Sequence, residues 1–487
     1  MSVQVQVERL PIRIEPDPRH VLSRFFPADE QQTRRRISRV IALSEDDTER
    51  ILSQLVEQYT GEHYDITAVW QENFHRVESM LPENCPSLSQ ARQQLIGAYF
   101  TMDYAVEAVA LFNPSIVEAI DQSGMSPGST RFGMSLRAVG EGHVSSIVMR
   151  NGVIDADNNI TLDRPSATRR ALVEEVNPEF QTALIRRTLQ NLGALGNLEE
   201  LVLDRSGEMV SLAEVYSELE RVREEVSSPA QWQQARDNLV SLMESNYRLK
   251  IPEGAGLSEL VIFPVSQNES RGIEDLRLVK FTEDSGNVTI CGTYTAFNGY
   301  TIFPTMLVVR GNGSVQSHTM SGRHAQNKGM ALFPRKINGK FVMSGRLDGE
   351  NLYIMESDNP LVWNEGRISQ KPKYWWQFSV IGNCGSPIET KDGWLMLTHG
   401  VGPMRQYSIG AVLLDLEDPT RIIGELEEPL ISPSEDERVG YVPNVVYTCG
   451  AMVHNSSLII PYAVSDVVTK FARVDLEELL SALRSHG

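Results

Sequence analysis

Ala331-Leu-Phe-Pro-Arg-Lys-Ile-Asn-Gly-Lys-Phe-Val-Met-Ser344 and Ser386-Pro-Ile-Glu-Thr-Lys-Asp-Gly-Trp-Leu-Met-Leu-Thr398 read as two versions of one unit. Each is an apolar strand, a glycine turn and a second apolar strand, followed by a polar cluster. Recurrence at about 50–60 residues is the spacing of propeller blades. Outward from this pair, residues 258–475 are almost entirely short strands separated by turn signals such as Asp284-Ser285-Gly286-Asn287 and Asn455-Ser456. Strand periodicity alone leaves a sandwich, a barrel or a propeller open.

Two stretches break the pattern. Residues 28–105 carry apolar residues at three- and four-residue intervals over Thr33–Leu43, Glu45–Tyr59 and Ser87–Phe100, with Ser44 and Ser87 as N-caps. Residues 167–245 are again helical in pattern, and Leu476–Leu483 predicts a closing helix. The expected organisation is a helical N-terminal region (1–105), a mainly β domain (106–475) with a helical insertion (about 167–245), and a C-terminal helix (476–487).

The 487 residues are 41% hydrophobic and 22% charged, ordinary for a globular enzyme. A formal charge of −19 argues against nucleic-acid binding. Cys85, Cys291, Cys384 and Cys449 are scattered, which predicts neither zinc nor a disulfide framework. With no signal-peptide pattern at Met1–Glu8 and no apolar run of the roughly 18 residues a span needs, the expectation is a cytoplasmic chain without membrane contact.

Against this acidic background three clusters stand at strand ends. The first is Glu274-Asp275 in Gly272-Ile-Glu-Asp-Leu-Arg277. Adjacent strand residues point to opposite faces, so one of the two would face a cavity, and a salt bridge to Arg277 is the plain alternative. The second is Lys328 with Arg346, at the two ends of one hairpin, where two cations on one rim suit a phosphate or carboxylate. The third is Glu389 with His399 and Arg405, bracketing the next hairpin. Trp375, Trp376, Trp394, Tyr374 and Tyr407 add aromatic faces on which sugars can pack, although core packing is the commoner use of a tryptophan. One proton donor, several cations and a second carboxylate are what acid-assisted glycosidic cleavage needs. Carboxylates at metal-ligand spacing are missing from the sequence, so no metal and no cofactor is expected, inorganic phosphate aside.

Phe112-Asn-Pro-Ser115 with Leu136-Arg-Ala138, Gly272–Arg277 with Tyr294-Thr-Ala296, Lys328–Arg346, Ser386–Trp394 with His399-Gly-Val401, and Tyr462-Ala-Val-Ser-Asp466 together resemble glycoside hydrolase family 130, the β-mannoside phosphorylases and mannosidases. The resemblance covers about 106–165 and 246–475. It implies a five-bladed β-propeller and inverting attack on a β-mannosidic bond. It places Asp275 as the acid, acting through a mannose hydroxyl, and Asn113, Ser115, Arg137 and Asp466 on the terminal mannose. Lys328 and Arg346 fall on phosphate-binding positions, Lys328 where the family often has Arg. Two departures stand out: Leu276 replaces the usual proline, and Glu389 replaces a phosphate-binding lysine.

The leading expectation is phosphorolysis of a β-mannoside, with His399 and Arg405 as further phosphate-binding cations and Glu274 and Tyr407 contacting sugar. The rivals are an inverting β-mannosidase using Glu389 as general base, and a propeller that binds carbohydrate or protein without turnover. The helical regions are expected to mediate homo-oligomer contacts or cap the cleft.

Overall fold

The computed structural model describes residues 5–61, 63–165, 169–226 and 228–485. The first four residues, where no signal-peptide pattern was expected, and residues 167 and 168 at the start of the expected insertion, lie outside that set.

Among the described residues more of the chain lies in strands, nearly all antiparallel, than in helices, so the fold is mainly β. The largest sheet holds two meanders. Strands Ala110–Glu118, Thr130–Val139 and Ser145–Ile154 form one; Gly272–Thr282, Val288–Phe297, Ile302–Val309 and Ser314–Thr319 form the other. They meet at the parallel pair Gly272–Ser145. Gly272 sits at φ 127°, and a Cβ there would lie 2.3 Å from the Ser145 hydroxyl, so only glycine fits the joint. A four-stranded sheet (Ala331–Leu332 to Glu365–Gln370) and a five-stranded sheet (Val380–Asn383 to Ile422–Glu425) follow.

The last sheet is completed from the other end of the chain. Val7–Ile14 pairs antiparallel with Val468–Asp475, Val7 opposite Val474. Each interior is shared between sheets. Met330, Met343 and Trp363 pack against Val279 and Met306; Phe333 and Ile354 pack against Trp394 and Met396; Leu397 and Leu413 pack against Leu458 and Ile460. Ile459 and Phe471 of the last sheet pack back on Leu111 and Leu136 of the first. The pattern of β-branched and aromatic residues buried on both sheet faces reflects this stacking.

The helical stretches differ in detail from the periodicity. Helices Glu30–Ile41, Glu45–Tyr59 and Gln90–Ala98 form as expected, joined by Ile66–Val77, which the pattern did not separate. Ser44 caps its helix, but Ser89, not Ser87, caps the third, accepting from Arg92 N at 3.2 Å. The region before residue 106 is not all helical: Val7–Ile14, Val21–Phe25 and Thr101–Ala105 are strands. In the insertion, Leu172 and Val173 belong to short strand pairings, and helix begins only at Thr182. Sheet edges nearby offered those backbone groups partners, overriding a weak local preference. The two helical regions have cores of their own, one around Ile37, Phe74 and Leu95, the other around Val202, Leu219 and Leu239.

Candidate active site

Two β-bulges and a hairpin turn build one wall of a cavity of about 210 Å³. In the strand Gly272–Thr282, Glu274 pairs with Thr295 and Arg277 with Thr293, so Asp275 and Leu276 together oppose Tyr294. In Ala110–Glu118, Phe112 pairs with Arg137 and Ser115 with Ser135, so Asn113 and Pro114 together oppose Leu136. The first bulge residue is left-handed in both, Asn113 at φ 48° and Asp275 at φ 56°. Asp466 adopts the same conformation, φ 53°, in the turn after Ser457–Val464. Asn and Asp tolerate this region better than other non-glycine residues, at a cost of order 1–3 kcal/mol each, and the bulges turn their side chains into the cavity. Leu276 takes the bulge place that Pro114 holds in the first strand, so its departure from proline leaves the geometry intact.

The alternation rule therefore fails where it mattered. Glu274 and Asp275 do not face apart: Arg137 bonds Glu274 Oε1 at 2.7 Å and Asp275 Oδ1 at 3.4 Å. Glu274 also takes the Lys328 ammonium at 2.5 Å. Asn113 Nδ2 donates to Asp275 Oδ1 at 2.7 Å. Nor does Arg277 pair with a carboxylate. Its guanidinium donates to the Asp275 carbonyl at 3.2 Å, to Asn383 Oδ1 at 3.3 Å and to the Tyr447 hydroxyl.

Arg346, His399, Arg405 and Tyr407 line the same cavity. His399 lies across the ladder from Gly382, where a Cβ would come within 2.5 Å of the imidazole. Its Nδ1 is 3.0 Å from the Asn383 carbonyl, which makes Nδ1 the protonated nitrogen and leaves Nε2 to accept from Arg346 Nη1 at 3.4 Å. Burial first, then the Arg346 and Arg277 charges, push its pKa down to about 3. His399 is thus a neutral acceptor that orients Arg346, and its expected role as a phosphate-binding cation is corrected.

Charge is unevenly shared. Arg137, Arg277, Lys328, Arg346 and Arg405 line the cavity against Asp275 and Asp466. Burial works to raise the Asp275 pKa, but Arg137, Arg277, the Asn113 bond and Lys328 outweigh it and hold the carboxyl below its usual range. Asp466 goes the other way. Burial and the Asp275 charge, opposed by Arg137 and Arg405, raise it to about 6. Neither Arg346 nor Arg405 has a carboxylate within ion-pair distance among the described residues, and the Arg346 Nε is buried without a partner.

Two expected site residues are elsewhere. Glu389 is outside the cavity, on the short strand Ile388–Thr390, and gives both oxygens to Arg335 at 2.7 and 2.9 Å. It pairs with Trp394, whereas His399 pairs with Gly382. Five residues of strand, about 17 Å at ~3.3 Å per residue, separate those two positions. Glu389 is therefore corrected as general base. Ser115 is fully buried behind the bulge, its Oγ accepting from Leu278 N at 2.9 Å, so it braces the wall and does not grip a sugar. Trp376 and Trp394 are core residues, while Tyr407 lines the cavity. Arg277, Asn383 and Tyr447 were not singled out, although Arg277 stands in the Gly272–Arg277 motif itself. Among the described residues no cluster of His, Cys, Asp and Glu could hold a metal ion, and no helix is long and apolar enough to cross a membrane.

Residues 255–485 match the family Glyco_hydro_130, described as beta-1,4-mannooligosaccharide phosphorylase. A 1,2-beta-oligomannan phosphorylase of Thermoanaerobacter sp. (strain X514) is 38% identical over 155 residues, 31% of this chain and 52% of that protein. A beta-1,2-mannobiose phosphorylase of Listeria innocua serovar 6a is 27% identical over 232 residues, 46% of this chain and 63% of that protein. The chain thus spans between half and two thirds of these relatives' length. A solved beta-1,2-mannobiose phosphorylase from Listeria innocua covers 79% of this chain and 94% of its own at 20% identity, with a TM-score of 0.45. Over residues 255–485, somewhat under half of its length, this chain is similar to glycoside hydrolase family 130.

Proposed function

We propose that the protein cleaves a β-mannoside with inorganic phosphate, giving mannose 1-phosphate and a shortened acceptor with inversion. The observation that carries this reading is the unpaired cationic side of the cavity. Among the described residues Arg346 has a buried Nε without a partner and no carboxylate within ion-pair distance. Such a group suits a bidentate oxyanion ligand. The names of the relatives above, all mannoside phosphorylases, agree with it.

In this reading Asp275 protonates the glycosidic oxygen while a phosphate oxygen, held by Lys328, Arg346 and Arg405, attacks the anomeric carbon from the opposite face. Asn113, Arg137 and Asp466 hold the sugar being transferred. Arg137, Arg277 and Lys328 hold Asp275 in its ionised form. An entering phosphate anion offsets the cations that keep it so and raises its proton affinity. Binding of the second substrate thereby arms the acid. The hydrolytic alternative loses its base with Glu389, and the one other carboxylate beside Asp275 in the cavity lining among the described residues, Asp466, is assigned here to the sugar.

The sheets are read as five blades of a propeller, the largest sheet supplying two of them, with the N-terminal strand closing the ring. Its support is the packing of the last sheet on the first. The helical regions, each with a separate core, are proposed as appended units available for contacts between copies of the chain. A cytosolic setting suits a reaction that retains bond energy as a sugar phosphate.

Incubation with mannose 1-phosphate and a panel of acceptor sugars tests the proposal. Phosphate release with formation of a mannosyl disaccharide is expected. Release of free mannose from mannosides at the same rate without phosphate would overturn it.

A further inference from the structure

Asn383 is 1% exposed, and its side-chain amide has every hydrogen-bonding position filled. Nδ2 donates to the Gly329 carbonyl at 2.6 Å and to Ser344 Oγ at 2.9 Å. Oδ1 accepts from Arg277 Nε at 3.3 Å and from Gly385 N at 3.2 Å. The Asn383 carbonyl accepts from His399, which in turn orients Arg346.

Those partners are not scattered. Gly329 follows Lys328, and Ser344 lies two residues before Arg346. The ladder that joins their strands has two pairs, Ala331–Ser344 and Leu332–Met343. Toward the cavity the two chains part, carrying Lys328 and Arg346 on their free ends. Asn383 stands in that fork, with both Nδ2 protons spent on holding its two arms.

We infer that Asn383 is a positioning residue: it sets the span between the Lys328 ammonium and the Arg346 guanidinium, and through Arg277 ties that span to the Asp275 bulge. The inference rests on the phosphate role proposed above for Lys328 and Arg346. A fixed gap between two cations selects a compact tetrahedral oxyanion, because cations free to move apart bind anions of any shape and gain less from each.

The test compares wild type with Asn383→Ala, Ser344→Ala and the double variant. Initial rates are measured with phosphate and mannoside varied separately, phosphate binding by calorimetry, and folding by thermal unfolding. Asn383→Ala is expected to raise the phosphate KM at least tenfold while the mannoside KM stays within twofold. Ser344→Ala removes one arm of the fork and is expected to raise the phosphate KM about threefold, since one neutral hydrogen bond is worth about 0.5–1.5 kcal/mol. The double variant should match Asn383→Ala alone, as for two groups in one contact. An unchanged phosphate KM in folded Asn383→Ala overturns the inference, and so does a parallel rise in both KM values, the mark of a merely structural residue. If Asn383→Ala does not fold, an unchanged phosphate KM in Ser344→Ala overturns it. A wild-type protein that binds no inorganic phosphate sinks the phosphorylase reading instead, and this inference with it.

Discussion

The two sides of the cavity are built on opposite electrostatic plans. On the bulged side, Arg137, Glu274, Asp275 and Lys328 form a closed network in which every charge faces its opposite. On the hairpin side, Arg346 faces only a neutral imidazole, and Arg405 has no ion pair among the described residues. Ion pairs made within the protein fix geometry and leave little to attract a ligand. Cations left without counter-charges hold the protein open to one. In the proposed reading the first side orients a neutral sugar and a proton, the second receives an anion, and Lys328, ion-paired to Glu274, stands where the two meet.

The most severe test of the contrast removes the carboxyl at the centre of the bulged side. Asp275→Asn should lower the rate of mannose 1-phosphate formation by about 10²–10⁴-fold, the usual worth of a positioned acid, with the thermal unfolding temperature close to wild type. Wild-type turnover would remove Asp275 from the chemistry.

Asp466 is next in size, and its effect is on stability. Its folded pKa of about 6 lies above the ordinary aspartate value of 3.8. The native state therefore binds the extra proton between those values. The stabilisation is complete below the unfolded pKa and is lost as pH rises through about 6, by about 3 kcal/mol for a shift of this size. Asp466→Asn should flatten the curve, gaining stability over wild type at pH 7 but not at pH 4, in denaturant melts at both. Equal curves for the two proteins would place Asp466 in a more solvated setting.

On the hairpin side, Arg346→Ala should raise the phosphate KM about 10–100-fold, the range for losing charged hydrogen bonds of about 1.5–3 kcal/mol, and leave the mannoside KM within threefold. Phosphate-titrated initial rates decide it. If the mannoside KM moves more, the two sides do not divide the substrates between them.

The smallest effect is expected outside both. Glu389→Gln should change turnover less than twofold and stability by about 0.2–1 kcal/mol, the value of an exposed ion pair. A large loss of hydrolytic turnover would restore Glu389 as a base.

Much of this site was legible as one-dimensional text. Asp275, Lys328 and Arg346 sit where strand ends and glycine turns predict a rim, and all three line one cavity. The failures share a cause. Glu389 and His399 flank one turn in sequence, but Glu389 pairs with Trp394 at one end of the strand Gly393–Val401, while His399 lies near the other end and pairs with Gly382, a distinction that register makes and spacing does not. Ser115 sits one residue past a bulge, and a bulge reverses which side chains face inward. Asn383 carried no local signal, because three of its four side-chain partners, Arg277, Gly329 and Ser344, come from separate, distant stretches of chain.

Local sequence determined the strands, the turns, the helix caps and the residue types able to adopt left-handed backbone at positions 113, 275 and 466, since these depend on each residue and its near neighbours. Tertiary structure alone decided which charges meet a counter-charge and which are left open, because burial and the field at any one group are sums over side chains far apart in the chain. That is why the chemistry at Asp275, Asp466 and His399 follows from the packing around them, although their identities were plain from the start.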